Sequence, residues 1–232
     1  MKILGLIPVR GGSKGVPHKN RKELLGKPLL AYTIEAAKNA TAIDRLVFSS
    51  EDAHLQQLAR NYGAEVPFSR PDHLAQDHSG SLEVVQHALQ TLEKQGHHYD
   101  AVCLLQVTNP FRTTALIDTA IAKFKQSHTD ALVSVVKVPH EYNPHWVFKA
   151  GPNDRLQLAT ADKEIIKRRQ DLPDAFIRDG AIYITKTEVI LKQNSLYGQS
   201  LAYVLSDPDR HVNIDTIEDW HKAEALAQKL FT

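Results

Sequence analysis

A single cysteine, Cys103, stands in the 232 residues. An intrachain disulfide is therefore excluded and a reducing compartment is the simpler expectation. That cysteine lies inside the apolar run AVCLL with no catalytic setting around it, so it reads as a buried core thiol. An excess of one charge sign is lacking too. Lysine and arginine number 28 against 27 acidic residues, and a formal net charge of +1 provides no broad basic field for nucleic acid. Any anion must be held locally. No segment approaches the ~18 unbroken apolar residues of a spanning helix, so a membrane role would have to come through a partner. The opening MKILGLIPVRGG is apolar for less than a signal-peptide core before Arg10 and two glycines intervene, which places the expected protein in the cytoplasm. Internal repeats and low-complexity tracts are missing as well.

What is present is ordinary globular material: 42% hydrophobic and 24% charged residues, in a length that fits one domain with room for a long insertion. The run from Lys2 to Val9 reads as a buried strand feeding a glycine-rich turn. A helix is expected over residues 28–40, opened by Pro28, with Leu30, Ile34 and Ala37 on one face. Further strands are expected at 45–50, 101–107 and 131–138, and further helices at 54–62, 81–94 and 115–126. Strict alternation of this kind predicts an α/β fold, a mostly parallel sheet with helices on both faces.

Near residue 139 the rhythm breaks. Proline, aromatic and charged residues interleave from there to about residue 176, and the short apolar runs 146–149 and 156–158 flank Gly151, Pro152 and Asn153. This pattern predicts an inserted hairpin arm over residues 140–175 within one domain spanning 1–232. Strands at 181–185 and 202–205 and a helix at 217–230 complete the chain.

In open parallel sheets ligands sit beyond the carboxyl ends of the strands. The loop after the first strand holds Arg10, Gly11, Gly12, Ser13, Lys14 and Gly15. Glycines let backbone amides approach a polyphosphate, and the two cations neutralise its oxygens. The plain alternative is a strand-to-helix turn. The residue order fits neither the P-loop nor the dinucleotide fingerprint.

The stretch IPVRGGSKGVPHKN, residues 7–20, resembles the opening motif of the acylneuraminate cytidylyltransferases, the CMP-sialic-acid synthetase family. SRPDHLA at 69–75, LLQVTNPFR at 104–112, RRQDLPDAF at 168–176, RDGAIYIT at 178–185 and NIDTIEDW at 213–220 resemble its later motifs, in the same order. The resemblance covers nearly the whole chain. It implies a Rossmann-like fold and a cytoplasmic enzyme that transfers CMP from CTP to the anomeric hydroxyl of N-acetylneuraminate or a relative, releasing pyrophosphate. Legionaminic, pseudaminic, KDN or KDO acid are alternative acceptors, although the GGSKG loop and the Lys19–Asn20 pair speak for the sialic-type branch over the KDO branch. A nucleotide-binding regulator without turnover is a further alternative.

By the same resemblance, Arg10, Gly11, Gly12, Ser13, Lys14 and Lys19 hold the triphosphate, while Asn20, Arg70 and Ser81 address the base and ribose. On their own chemistry Arg70 could equally be a surface arginine, and Ser81 a helix cap. Gln106, Thr108, Asn109, Arg112, Asp179 and Tyr183 fall in the sugar-binding motifs. Val107, Asn109 and Phe111 depart from the commoner proline, serine and leucine, a difference that bears on the sugar's identity more than on the reaction. The arm's basic cluster at Lys167, Arg168 and Arg169 is implied to reach a neighbouring subunit of a homodimer and bring a cation to the sugar carboxylate; a solvated face is the plain alternative. Family members carry two aspartates where this chain has Asn213 and Asp215. A Mg2+ ion, or Mn2+ in its place, is expected on Asp215, with Asn213 as a weaker ligand or a sugar contact. Capping of the last helix is the alternative for Asp215 or Thr216. The histidine pairs His97/His98 and His140/His145 lack converging carboxylates or cysteines and read as surface positions.

Overall fold

The computed structural model describes residues 1–231. The opening apolar run forms β1 (Ile3–Pro8), and a small hairpin, β2 (Glu23–Leu24) and β3 (Lys27–Pro28), leads into α1 (Leu29–Lys38). Pro28 ends the hairpin and takes the capping position, so the helix begins one residue later than its first-turn propensity predicts. β4 (Arg45–Ser49), α2 (Ala53–Tyr62), α3 (Ser81–Lys94), β5 (Ala101–Leu104), α4 (Thr114–Ser127) and β6 (Ala131–Lys137) follow, close to their predicted bounds. The arm contributes β7 (Phe148–Ala150) and β8 (Leu156–Leu158), an antiparallel pair separate from the main sheet. β9 (Phe176–Lys186), α5 (Thr187–Lys192), β10 (Leu201–Leu205) and α6 (Ile217–Phe231) close the chain.

The six-stranded sheet runs β10-β6-β9-β5-β1-β4. Pairings β1–β4, β1–β5 and β10–β6 are parallel, as the alternation predicts. The exception is β9, antiparallel to both β5 and β6. The arm is the reason: it returns the chain on the ligand edge of the sheet, so β9 re-enters from that edge and runs backwards. Buried residues of α1, α2, α4 and α6 form one apolar cluster on one face of the sheet, and those of α3 and α5 join a second cluster on the other. Cys103 is fully buried among them, and its thiol is pushed up to about 12 by burial. No helix among the described residues is long and apolar enough to cross a membrane.

A bulge interrupts β9 where it matters. Val133 pairs with Tyr183 and Val135 with Arg178, so Asp179 to Ile182 lie opposite the single residue Ser134. The Ser134 hydroxyl donates to Asp179 Oδ1 at 2.5 Å and accepts from the Ile182 amide at 2.7 Å. Gly180 takes φ +82° there, a left-handed backbone that a side chain would strain. The bulge turns Arg178 and Asp179 toward the ligand edge.

Candidate active site

A cleft of about 430 Å³ opens beyond the carboxyl ends of β1 and β5. Its wall includes Arg10, Gly12, Ser13, Lys19 and Asn20 of the glycine loop, Arg70 and Ser81 from the opposite side, and Gln106, Thr108, Asn213 and Asp215. Residues far apart in the sequence thus meet where the sheet topology predicts a ligand.

Each part of the loop has a tether. The Asn20 amide donates to the Arg10 carbonyl at 2.9 Å, and the Gly11 N–H donates to Glu51 Oε1 at 2.7 Å. Glu51 in turn accepts from Arg70 at 2.6 Å, and Arg70 also donates to the Val9 carbonyl at 2.5 Å. Arg70 is buried, so this pair is a framework for the loop and not a surface ion pair. Lys19 is buried and donates to the Ile214 carbonyl, with Asp215 Oδ1 3.4 Å from its ammonium. Gly15 has a different duty from phosphate contact. A Cβ there would lie 1.8 Å from the Asp215 carbonyl oxygen, so only glycine lets the loop close on the 213–216 segment.

Arg10 and Lys14 remain the loop's accessible cations. Both face one carboxylate: Arg10 donates to Asp77 Oδ1 at 2.8 Å, and Lys14 pairs with Asp77 Oδ2. The hydrogen bond from Lys14 is the main reason the Asp77 carboxyl is held below its usual range. Asp77 lies where an anion would find both cations. Ser81 is the first residue of α3, and Gly80 takes the cap position, its N–H donating to Glu83 at 2.6 Å. The Ser81 hydroxyl is therefore not a helix cap. Thr216 caps α6, accepting from the Asp219 amide at 3.2 Å while Asp219 accepts from the Thr216 amide at 3.1 Å. Asp215 is thereby left to the cleft, where it accepts from the Asn213 amide at 2.6 Å.

A second cavity, about 480 Å³, shares Gln106 and Asn213 with the cleft and adds Arg178, Asp179, Gly180, Tyr183 and His211. Burial raises the Tyr183 hydroxyl, partly offset by Arg178. Arg178 also donates to the Tyr197 hydroxyl at 2.9 Å. This is a cation beside a polar cavity.

A family model described as cytidylyltransferase matches residues 4–231. The chain belongs to the cytidylyltransferase family. This cytidylyltransferase is similar to a pseudaminic acid cytidylyltransferase of Campylobacter jejuni, 34% identical over 97% of the chain and 96% of that protein. It is also similar to a CMP-N,N'-diacetyllegionaminic acid synthase of Legionella pneumophila, 32% identical over 98% of the chain and 97% of that protein. An N-acylneuraminate cytidylyltransferase of Escherichia coli is 31% identical over 98% of the chain, which spans 52% of that longer protein. Among solved structures, a CMP:2-keto-3-deoxy-manno-octonic acid synthetase in complex with CTP superposes with a TM-score of 0.73 at 16% identity, over 99% of this chain and 100% of that one. That likeness is one of fold. The mostly parallel α/β sheet agrees with that fold, and membership of the cytidylyltransferase family makes the chain a nucleotidyltransferase.

Not every residue of the sugar motifs reaches the enzyme's cleft. Asn109 is buried and donates to the Asp179 carbonyl at 3.2 Å, with His211 Nδ1 at 3.3 Å. Arg112 is buried too, donating to Thr33 Oγ1 at 2.7 Å and to the Gln106 carbonyl. Burial pulls its guanidinium down to about 10, opposed by Asp179, so it stays charged at neutral pH. These two hold the loop that presents Gln106 and Thr108. Arg168 pairs with Asp171 on the exposed arm, and Arg169 is exposed beside it; neither lines the cleft or the second cavity.

No group of three or more histidine, cysteine or acidic residues gathers as a metal cage among the described residues. The cleft instead offers single carboxylates, Asp215 and Asp77, beside the glycine loop. That donor set suits a Mg2+ ion held largely by phosphate oxygens and water. Asn213 donates to Asp215, so its amide steadies the carboxylate.

Glu51, Asp77 and Arg178 were not among the sequence-derived candidates. Glu51 had one weak signal, a charged side chain just beyond the carboxyl end of a strand; Arg178 reaches the ligand edge only because β9 runs antiparallel.

Proposed function

We propose that the enzyme transfers CMP from CTP to the anomeric hydroxyl of a nine-carbon nonulosonic acid. That oxygen attacks the α-phosphorus in line, the bond to the β-phosphate oxygen breaks, and pyrophosphate leaves. The observation that carries this reading is the shared wall of the two cavities. Gln106 and Asn213 border both the cation-bearing cleft and the cavity of Arg178 and Tyr183, so a nucleotide and an acidic sugar meet at one line. The curated relatives named for pseudaminic, legionaminic and neuraminic acids support the acceptor class.

In this reading Gly12 and Ser13 line the triphosphate site, with Arg10 and Lys14 taking charge as it develops on the leaving pyrophosphate. Lys19 and Asn20 keep the loop in shape. Arg70 and Ser81 border the base and ribose. Gln106, Thr108 and Tyr183 bind the sugar, and Arg178 is the cation nearest its carboxylate within the same subunit. Asp215 is the residue to hold Mg2+, which when bound neutralises phosphate charge. The protein forms a homodimer in which the arm bearing Arg168 and Arg169 closes a partner's site, because Val147, Phe148 and Leu156 otherwise expose apolar surface. The buried, free Cys103 and the use of CTP fit the cytoplasm.

The test is pyrophosphate release from CTP and Mg2+ with N-acetylneuraminic, legionaminic, pseudaminic, KDN and KDO acids. At least one nine-carbon acid should exceed KDO by at least about tenfold in kcat/KM, the lower end of the discrimination that one missing group produces in a pocket. CTP binding without release for any acid would make the chain a nucleotide-binding regulator instead.

A further inference from the structure

His211 lines the second cavity and also a third, about 310 Å³, beside the start of α4 and the end of β10. The fold fixes where it stands. Its N–H donates to the Pro208 carbonyl at 3.2 Å, and the Ile214 N–H donates to the Thr108 carbonyl at 2.9 Å, so the chain is tied on both sides of it. The ring is fixed as well. The Asn109 amide nitrogen lies 3.3 Å from His211 Nδ1 and also donates to the Asp179 carbonyl at 3.2 Å. A carbonyl can only accept, so the NH2 end of Asn109 faces both partners, one proton for each. Nδ1 is therefore the acceptor, and this network assigns the proton of the neutral ring to Nε2. Asn109 lines the third cavity and not the second. The ring edge that carries Nε2 is thus the one left for the second cavity.

Nε2 has no hydrogen-bond partner among the described residues, yet it is not one of the enclosed unpaired atoms, so a ligand can reach it. The rest of that wall has other work. Asp179 turns Oδ1 to Ser134 and Ala181 and keeps Oδ2 enclosed, while Arg178 carries charge and donates to Tyr197. Gln106, Tyr183 and Asn213 can each donate or accept. His211 is the group there that only donates and brings no charge. We infer that His211 is a specificity-determining residue for the acid: its Nε2–H takes a hydroxyl or carbonyl oxygen of the sugar acid, and an acid with hydrogen or an alkyl group at that point is disfavoured. The assignment rests on the function proposed above. A donor that loses its water and gains no acceptor costs binding energy, which is how such a site discriminates. Asn109 is the positioning residue behind it, since serine in its place would carry one proton and could not serve both partners.

The experiment has two readings on the intact protein. The first is long-range 1H–15N correlation NMR with labelled histidine at neutral pH, His211 being assigned from the signals that His211→Gln removes. Nε2 should be protonated and Nδ1 not. With CMP present as a nucleotide that cannot react, each of the five acids is then added, and the Nε2 signal should move for every acid that is turned over. The second reading is kinetic, with circular dichroism to check that each variant folds. His211→Phe keeps a ring without the donor and should raise the KM for the acid about fivefold, the size of one lost hydrogen bond, with kcat and the KM for CTP within about twofold. His211→Gln restores an N–H near the position of Nε2 and should return the KM for the acid to within about twofold of the parent. A ring protonated on Nδ1, an unchanged KM in His211→Phe, or equal losses in both variants overturns the assignment and leaves His211 a packing residue. Pyrophosphate release with an Nε2 signal that no acid moves removes this assignment alone. A shift of Nε2 without release removes the proposed reaction alone.

Discussion

The arginines of the cleft and the arginines of the arm carry one charge in opposite settings. The Arg70 side chain is 4% exposed and meets Glu51, itself 17% exposed, at 2.6 Å. Arg168 is 68% exposed and meets only Asp171, three residues away. Removing one member of the first pair leaves a buried charge and costs about 3–5 kcal/mol, whereas an exposed pair is worth about 0–1 kcal/mol. A charge near the cleft is thus positioned by the fold itself. A charge on the arm is positioned only when something covers it.

Three experiments probe that contrast. Arg10→Ala should have the largest effect: about 100-fold off turnover, as for loss of one group that stabilises transition-state charge, with a melting temperature within about 3 °C of the parent. Parallel losses of stability and activity would put Arg10 in the framework with Arg70. Next comes a mixture of Arg10→Ala chains with chains altered at both Arg168 and Arg169. If the arm serves a neighbour's site, subunit exchange should return roughly a quarter of the sites to the full set of groups. Exchange confirmed by mass with no recovered pyrophosphate release would show the arm folding over its own subunit. The smallest effect belongs to Asp77→Asn. Asp77 occupies both accessible loop cations, so its neutralisation should lower the KM for CTP by about threefold, in keeping with an exposed pair. An unchanged KM would mean that Asp77 does not compete with the nucleotide.

Periodicity made most of the fold legible, because buried strands and one-sided helices leave strong patterns. The direction of β9 was not legible. Its core, 181–185, reads as a strand, yet Phe176 to Gly180 carry charge and glycine, and the orientation depends on where the arm returns the chain. The glycine loop announced itself through two cations among three glycines. Glu51 and Asp77 did not, since one precedes a helix cap and the other sits in a polar turn, and a carboxylate in either place looks like solvent-facing punctuation. Asn109 and Arg112 are the opposite case. Their types suit ligand binding, but sequence spacing cannot say that their side chains turn inward to hold neighbouring backbone.

β9 also joins two parts of the molecule. It leaves the arm at Phe176, whose ring stacks on Tyr203 of β10 at 5.1 Å, carries Arg178 and Asp179 past the second cavity, and ends among the central strands. No flexible linker intervenes between Phe176 and Lys186. The bulge opposite Ser134 is the one interruption of its pairing with β6 between the arm and the central strands. The strand that receives the arm's return is thus the strand that carries Arg178 and Asp179 to the wall of the second cavity.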